Sequence, residues 1–486
     1  MLKSIQDSPV YKIANPSSLA FFGASNKLGS MGSNLLKSIL SLGFAGAVYP
    51  VHPEEKTVQG LTAYARVQDL PEIPDLAVLV LPTKIVNATL RELGEKGVRH
   101  VIVVSGGFKE VGGPGLELER EMKAAAAEYG LHILGPNCLG VTNPHHKLNT
   151  TFIPYLAAPG FIGLASQSGS FVTQMFNYLG GLNLGFSTAF SVGNEAGVDL
   201  VDCLEYLAAC PHTKVIAVYV EGIKRGRAFV EAARAAAPHK PIVAYYVGGS
   251  ETGRKAGLSH TGAMAGPDKL YDGIFRQAGI IRARTITELF DYCWALGSQP
   301  LPAGPNVVIQ THSGGPGAAA ADAIGRAGLK LPSLSPETLA KLAPLVPHTS
   351  STANPVDLTF SRNPQDFFVN IPAILLADPG LDALLVYFLT PDAVVRRTLT
   401  DMGMSGAALE NELNKFMLER AGEAAALMKS QGKTFIGYTW ESLAHPFHRE
   451  LLAGGLPVFP EPERAARALA AMVEYKRLRE KILANA

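Results

Sequence analysis

A histidine flanked by small residues is the feature of this sequence best suited to covalent chemistry. His260 lies in Gly257-Leu-Ser-His-Thr-Gly-Ala-Met-Ala-Gly266, where the lack of bulk leaves the imidazole open to a large ligand. A ring nitrogen can attack phosphorus when a carboxylate holds the other nitrogen, and Glu221, at the end of a predicted strand, is the candidate carboxylate. Ser166-Gln-Ser-Gly-Ser170 follows an apolar run and opens a helical stretch. Ser168, Gly169 and Ser170 are thereby expected to bind phosphate at a helix N-terminus. The serine-hydrolase pattern GxSxG is not matched around Ser168.

A second glycine-rich turn, Gly23-Ala24-Ser25-Asn26 followed by Gly29 and Gly32, lies between the first predicted strand and helix. Its backbone amides could meet an anion, or its glycines could serve only close helix–strand packing. The second strand ends Tyr49-Pro50-Val51-His52-Pro53, without the acidic residue that holds a dinucleotide's ribose, which reads against NAD. Lys56 just beyond it and Pro82 after the next strand fall on the expected carboxyl edge of the sheet, as does Asn137 in Gly135-Pro-Asn-Cys-Leu-Gly140. Coenzyme A, a bulky phosphorylated nucleotide, fits this edge better than NAD. No metal site is expected.

Short apolar runs bounded by Gly and Pro alternate with helical stretches throughout, the pattern of parallel sheets flanked by helices. The fold expected is α/β: a Rossmann-like domain over residues 1–145, a flavodoxin-like domain over 146–298 carrying the histidine loop, and a second flavodoxin-like domain over 299–486 ending in a helix. The segment 299–305 is rich in Pro and Gly and reads as a linker. The third block repeats the order of the second, which suggests an internal duplication.

Composition sets the outer bounds. At 486 residues, with 47% hydrophobic and 17% charged, the chain is a folded protein of about three domains. Its 43 Lys and Arg nearly cancel its 42 Asp and Glu, so nucleic acid and anionic membranes are not expected partners. Cys138, Cys203, Cys210 and Cys293 have neither CxxC spacing nor disulfide-scaffold density, and there is no bilayer-length apolar run. A soluble cytoplasmic protein is expected.

The order of these motifs, from Gly-Ala-Ser through Gly-Pro-Asn-Cys-Leu-Gly, Ser-Gln-Ser-Gly-Ser and Glu221 to Ser-His-Thr-Gly-Ala-Met-Ala-Gly, resembles the succinyl-CoA synthetase superfamily, closest to the α subunit of NDP-forming acyl-CoA synthetases. Gly314-Gly-Pro-Gly317, Asn354-Pro-Val-Asp-Leu358 and Gly455 to Arg464 extend the resemblance over essentially the whole chain. The resemblance implies that the first domain binds CoA, near Gly23, Ala24, Ser25 and Lys56. It implies that His260 is phosphorylated and oriented by Glu221, that Ser168 to Ser170 hold the phosphoryl group, and that the third domain is mainly structural. It departs at Tyr246 and Gly249, where relatives commonly carry Lys and Arg, which removes two positive charges near the histidine. His312 stands where a small polar residue is more familiar and is given no catalytic role.

The reaction implied interconverts acyl-CoA, ADP or GDP, and phosphate with the free acid, CoA, and ATP or GTP, through acyl phosphate and phosphohistidine. No Walker-type motif or ATP-grasp machinery is visible. Mg2+ and nucleotide are therefore expected on a separate ATP-grasp β subunit, in a hetero-oligomer. The alternative is a non-catalytic CoA-binding regulatory protein of the same fold, and the presence of both Glu221 and His260 favours the enzyme.

Overall fold

The computed structural model describes residues 4–27, 29–253, 266–359, 363–390 and 392–484. His260 and its neighbours from 254 to 265 lie outside the described residues. The chain divides into two compact units, Met1–Leu289 with Ile482–Ala486, and Phe290–Lys481.

Among its described residues the first unit holds two main sheets and a two-stranded antiparallel ribbon of Thr57–Val58 with Leu61–Thr62. In the first sheet, β1 (Ser18–Phe22), β2 (Ala47–Val51), β3 (Leu76–Leu79), β4 (His100–Val103) and β5 (His132–Leu134) are all parallel, in the order β2-β1-β3-β4-β5. Every residue of β1 and β3 is buried, as expected of strands covered by helices on both faces. Beyond β2, Tyr64 pairs in parallel with Val51, donating its N–H to the Pro50 carbonyl at 2.9 Å. That short segment takes the place of a Rossmann fold's third strand, so strand order reverses between β1 and β3. Ligands of open α/β sheets bind outside the carboxyl ends of the strands at such a point.

The helix α1 (Met31–Ser41) returns from that edge, capped by the Ser30 hydroxyl, which accepts the Ser33 N–H at 3.2 Å. Leu35, Leu36 and Ile39 form its buried stripe. The helices α2 (Thr83–Lys96) and α3 (Pro114–Tyr129) follow β3 and β4.

The second sheet begins before the first domain was expected to end. β6 (Gly140–Asn143) and β7 (Leu148–Asn149) join β8 (Ile162–Ser166), β9 (Phe186–Ser191), β10 (Val215–Val220), β11 (Ile242–Tyr246) and β12 (Ile281–Ala283) in the order β12-β11-β10-β8-β9-β6-β7. Its five parallel strands have the flavodoxin order, and β6 runs antiparallel to β9. The helices α4 (Gly169–Gly181), α5 (Leu200–Ala209), α6 (Gly226–Ala236) and α7 (Asp268–Ala278) connect these strands.

The helix α8 (Ile286–Ser298) carries the chain into the second unit. The boundary falls inside it rather than in the Pro-rich 299–305 segment, because its second half is sticky. Within the second unit, Arg464 donates from Nε and Nη2 to the two carboxylate oxygens of Asp291 at 2.8 and 2.7 Å, and Trp294 packs on Phe459. The parallel sheet of this unit, β13 (Val307–Thr311), β14 (Val356–Asp357), β15 (Ala383–Tyr387), β16 (Thr434–Tyr438) and β17 (Val458–Phe459), has the order β14-β13-β15-β16-β17. It repeats the flavodoxin order, so the duplication suggested by the sequence is present in topology. No helix among the described residues is long and apolar enough to cross a membrane.

Two glycines fix the approach of α1 to the first sheet. Gly23 has φ +91°, and a Cβ there would lie 1.9 Å from the Val80 carbonyl oxygen; a Cβ at Gly32 would lie 2.1 Å from the Gly23 carbonyl oxygen. Close packing therefore accounts for both residues, whatever the turn also binds. Gly32→Ala is expected to lower stability by about 1–3 kcal/mol through overpacking against rigid backbone. Gly273→Ala, in an exposed helical position with open space around it, should raise stability by about 0.5–1 kcal/mol. Denaturant melts of both variants check this, and equal shifts would contradict the packing argument.

Candidate active site

The site is built where parallel strands stop. The loops after β4, β8 and β10, together with residues 137–139 and the turn at 193–195, line one cavity of about 670 Å³ within the first unit. Its wall includes Asn137, Ser168, Gly169, Ser170 and Glu221, so five of the sequence candidates are brought together. Gly23, Ala24, Ser25, Asn26, Lys56 and Pro82 are not among the residues lining it; Met31, Val80 and Leu81 mark its side toward them. Lys56 is exposed and Pro82 is the N-cap of α2.

The loop from β5 to β6 and the turn after β9 support each other through their backbones. Asn137 sits at φ +57° and donates its N–H to the Ser105 carbonyl at 2.9 Å. Asn194 and Ala196 donate theirs to the Pro136 and Gly135 carbonyls, both at 2.8 Å. A Cβ at Gly193 would lie 2.3 Å from the Pro136 oxygen and 2.5 Å from the Asn137 oxygen, so only glycine permits this contact.

At the head of α4, Ser166 braces the turn: its hydroxyl accepts the Ser168 N–H at 3.1 Å and donates to the Ser168 carbonyl at 2.8 Å. Ser168 is the N-cap, yet its side chain makes no capping bond, and its oxygen lies 3.4 Å from the Ser170 hydroxyl. The first turn of this 13-residue helix thus faces the cavity with two hydroxyls not used for capping. Helix N-termini favour anions there.

Glu221 directly follows β10. Its N–H and that of Gly222 both donate to the Gln167 Oε1, at 2.6 and 3.0 Å. The Gln167 Nε2 donates in turn to Glu195 Oε2 at 3.0 Å and to the Gly222 carbonyl at 2.8 Å. Glu195 is only 6% exposed and held at φ +54°. Burial raises its pKa, and the nearby Lys224 opposes that rise.

Sequence reasoning missed Lys109, Lys224 and the Asn194-Glu195 turn. Lys109 Nζ donates to the Asn194 carbonyl at 2.6 Å; Lys224 Nζ donates to the same carbonyl and to that of Glu195, each at 2.7 Å. Lys224 also faces the Glu195 carboxylate at 3.6 Å. Burial, then repulsion from Lys224, draws the Lys109 pKa down to about 8. Lys224 stands three residues after Glu221, a spacing that could have drawn attention to it; nothing in the sequence marks Lys109.

The glycine turn is more self-satisfied than expected. The Ser25 N–H donates to Ser33 Oγ at 3.2 Å, and the Asn26 N–H and Nδ2 donate to Glu55 Oε2 at 3.1 and 2.7 Å. Glu55 lies four residues beyond β2, so the second strand is followed by a carboxylate that reaches the turn. The absence of an acidic residue at the strand's end is therefore weaker evidence against NAD than the sequence suggests.

Tyr246 and Gly249 are structural. Tyr246 is buried, stacks on Tyr271 with ring centroids 3.5 Å apart, and donates its hydroxyl to the Gly266 carbonyl at 2.7 Å. A Cβ at Gly249 would lie 2.1 Å from Asp268 Oδ1. Arg282 lies over the Tyr246 ring at 5.9 Å, but its charge is committed to Asp268 and Asp272.

Comparison with known proteins agrees with this architecture. Residues 17–144 match the CoA binding domain, 159–296 the succinyl-CoA ligase like flavodoxin domain, and 307–420 the ligase-CoA domain. The chain is 37% identical over 461 residues to the α subunit of acetate–CoA ligase (ADP-forming) II of Pyrococcus furiosus, covering 95% of this chain and 96% of that one. It is 36% identical to acetate–CoA ligase (ADP-forming) I of Archaeoglobus fulgidus, covering 96% of this chain and 64% of that longer one. A dinucleotide-forming acetyl-coenzyme A synthetase 1 of Ca. Korarchaeum cryptofilum, solved with phosphate and ADP, superposes with a TM-score of 0.86 at 32% identity, covering 98% of each chain. The match in sequence, in domain order and in fold runs nearly end to end, and the chain belongs to the NDP-forming acyl-CoA synthetases, acid–thiol ligases of the succinyl-CoA synthetase superfamily, as a chain of the α-subunit type.

Proposed function

We propose that this chain catalyses the acyl phosphate and phosphohistidine steps of an acyl-CoA synthetase and hands the phosphoryl group to a nucleoside diphosphate on a separate ATP-grasp β subunit. The carrying observation is the single cavity that gathers Asn137, the head of α4 and Glu221. Three functional domains, 1–145, 146–298 and 299–486, divide the work. The first binds CoA through Gly23, Ala24, Ser25, Asn26, Lys56, Pro82 and Asn137. Mg2+ and nucleotide belong to the β subunit of a hetero-oligomer in the cytoplasm. The relatives named as α subunits support a partner chain.

A phosphate oxygen attacks the thioester carbonyl carbon; the C–S bond breaks, and the CoA thiolate leaves and takes up a proton. The His260 imidazole then attacks phosphorus, and the P–O bond to the acyl group breaks with its electron pair passing to the carboxylate. Ser168, Gly169 and Ser170 hold the phosphoryl oxygens during transfer, where fixed donors count most. Glu221 stays ionised, accepts a hydrogen bond from the imidazole N–H and so offsets the positive charge that develops on the ring. Transfer to the nucleoside diphosphate restores the free imidazole.

Incubation of the chain with radioactive phosphate and acyl-CoA should yield an acid-labile, base-stable label that His260→Ala abolishes. Glu221→Gln should keep the fold and slow labelling about 10- to 100-fold. Wild-type labelling of His260→Ala would overturn the assignment and make Ser168 or Ser170 the next candidate. Calorimetry should show CoA binding to the chain; NAD binding without CoA binding would contradict the reading of the first domain.

A further inference from the structure

We infer that Lys109 and Lys224 are the cation pair that receives the phosphate group, orthophosphate or the phosphoryl end of acyl phosphate, in the cavity below α4. The inference rests on the function proposed above, and it names residues that function did not use. Both ammonium nitrogens donate to the Asn194 carbonyl oxygen, at 2.6 and 2.7 Å, so they stand no farther apart than the sum of those distances. Two like charges this close repel, and the peptide oxygen between them carries only a partial charge. An ammonium has three hydrogens. Lys109 commits one of them to Asn194, while Lys224 commits one to Asn194 and one to Glu195. Each retains donor capacity toward the cavity both line.

The acidic groups near the pair are already engaged. Glu195 accepts from Gln167 and from the Leu200 N–H and stands 3.6 Å from Lys224 Nζ, Glu110 accepts from Asn194 and the Gly107 N–H, and Glu119 from Asn194 and Lys123. Glu221 lies on the cavity wall and is assigned to the imidazole. A tetrahedral anion with several acceptor oxygens relieves the repulsion between the lysines while also facing the first turn of α4. A monoanionic carboxylate has fewer oxygens with which to do both, which is why phosphate is the class assigned. The alternative role is mechanical: the lysines would only fasten the loops after β4 and β10 to the 193–195 turn.

Calorimetric titration of the full chain with inorganic phosphate, and separately with CoA, tests the pair. Lys109→Met and Lys224→Met should each weaken phosphate binding about tenfold or more, while CoA affinity changes less than about twofold and Lys224→Arg retains phosphate affinity within about threefold. Lys109 is charged below about pH 8 and neutral above it, so wild-type phosphate affinity should fall as pH rises through that value. That profile needs no variant, and in Lys109→Met it should flatten. Unchanged phosphate affinity in both Met variants, or loss of CoA binding with phosphate binding kept, would overturn the inference in favour of the mechanical role or of CoA's own phosphates. A wild-type chain that binds phosphate through the lysines yet never labels at His260 would fail the proposed function and leave the lysine pair standing.

Discussion

The convergence of two ammonium groups on the Asn194 carbonyl is the interaction on which the cavity depends. The loop after β4 carries Lys109 and the loop after β10 carries Lys224, and these strands belong to different sheets. Lys109 opens a single short 3-10 turn, Lys109–Val111, and the 221–225 loop that carries Lys224 has no helix or strand. The two loops share an acceptor, and the acceptor is itself fixed by the backbone pairing of 194–198 with 133–136. Glycine at 193 is the condition for that pairing, since any side chain would strike the Pro136 and Asn137 carbonyls. Removing one lysine would leave its neighbour's acceptor in place, whereas removing the turn would remove the acceptor of both.

From that turn the polar order passes inward. Glu195 holds Gln167, Gln167 holds the amides of Glu221 and Gly222, and Glu221 is thereby fixed at the end of β10. Burying a carboxylate is costly unless its oxygens are satisfied, and both oxygens of Glu195 accept hydrogen bonds. The cavity thus combines cations, a helix N-terminus and an oriented carboxylate within walls of buried backbone. Such pre-set donors are what phosphoryl transfer needs, because the transition state spreads charge over several oxygens. The family's reaction and the local electrostatics point the same way.

The alternation of strands and helices was legible throughout, since parallel strands covered on both sides read as short apolar runs. Three sheets, the repeated flavodoxin order and the helix opening at Ser168 followed from that pattern. What escaped was set by tertiary contact. The Gly23 and Gly32 pair looks like an anion-binding signature, yet the Val80 and Gly23 carbonyls explain both residues. Glu55 closes on the Asn26 amide from a position that strand-end reasoning does not reach. Lys109 and Lys224 are far apart in sequence and meet at a carbonyl on a third loop. The unit boundary falls within α8 because Asp291 and Trp294 find partners late in the chain, at Arg464 and Phe459, which no local composition reveals.

The central claim, that phosphate enters as the nucleophile and leaves as a phosphoryl group, has a direct isotopic signature. Phosphate labelled with oxygen-18 forms the bridging oxygen of acyl phosphate, and P–O cleavage leaves that oxygen in the acid. With acyl-CoA, nucleoside diphosphate and the nucleotide-binding partner present, mass spectrometry of the released acid should show one oxygen-18 per turnover. Acid released without the label would mean that phosphate never bonds to the acyl carbon, and the account would be wrong.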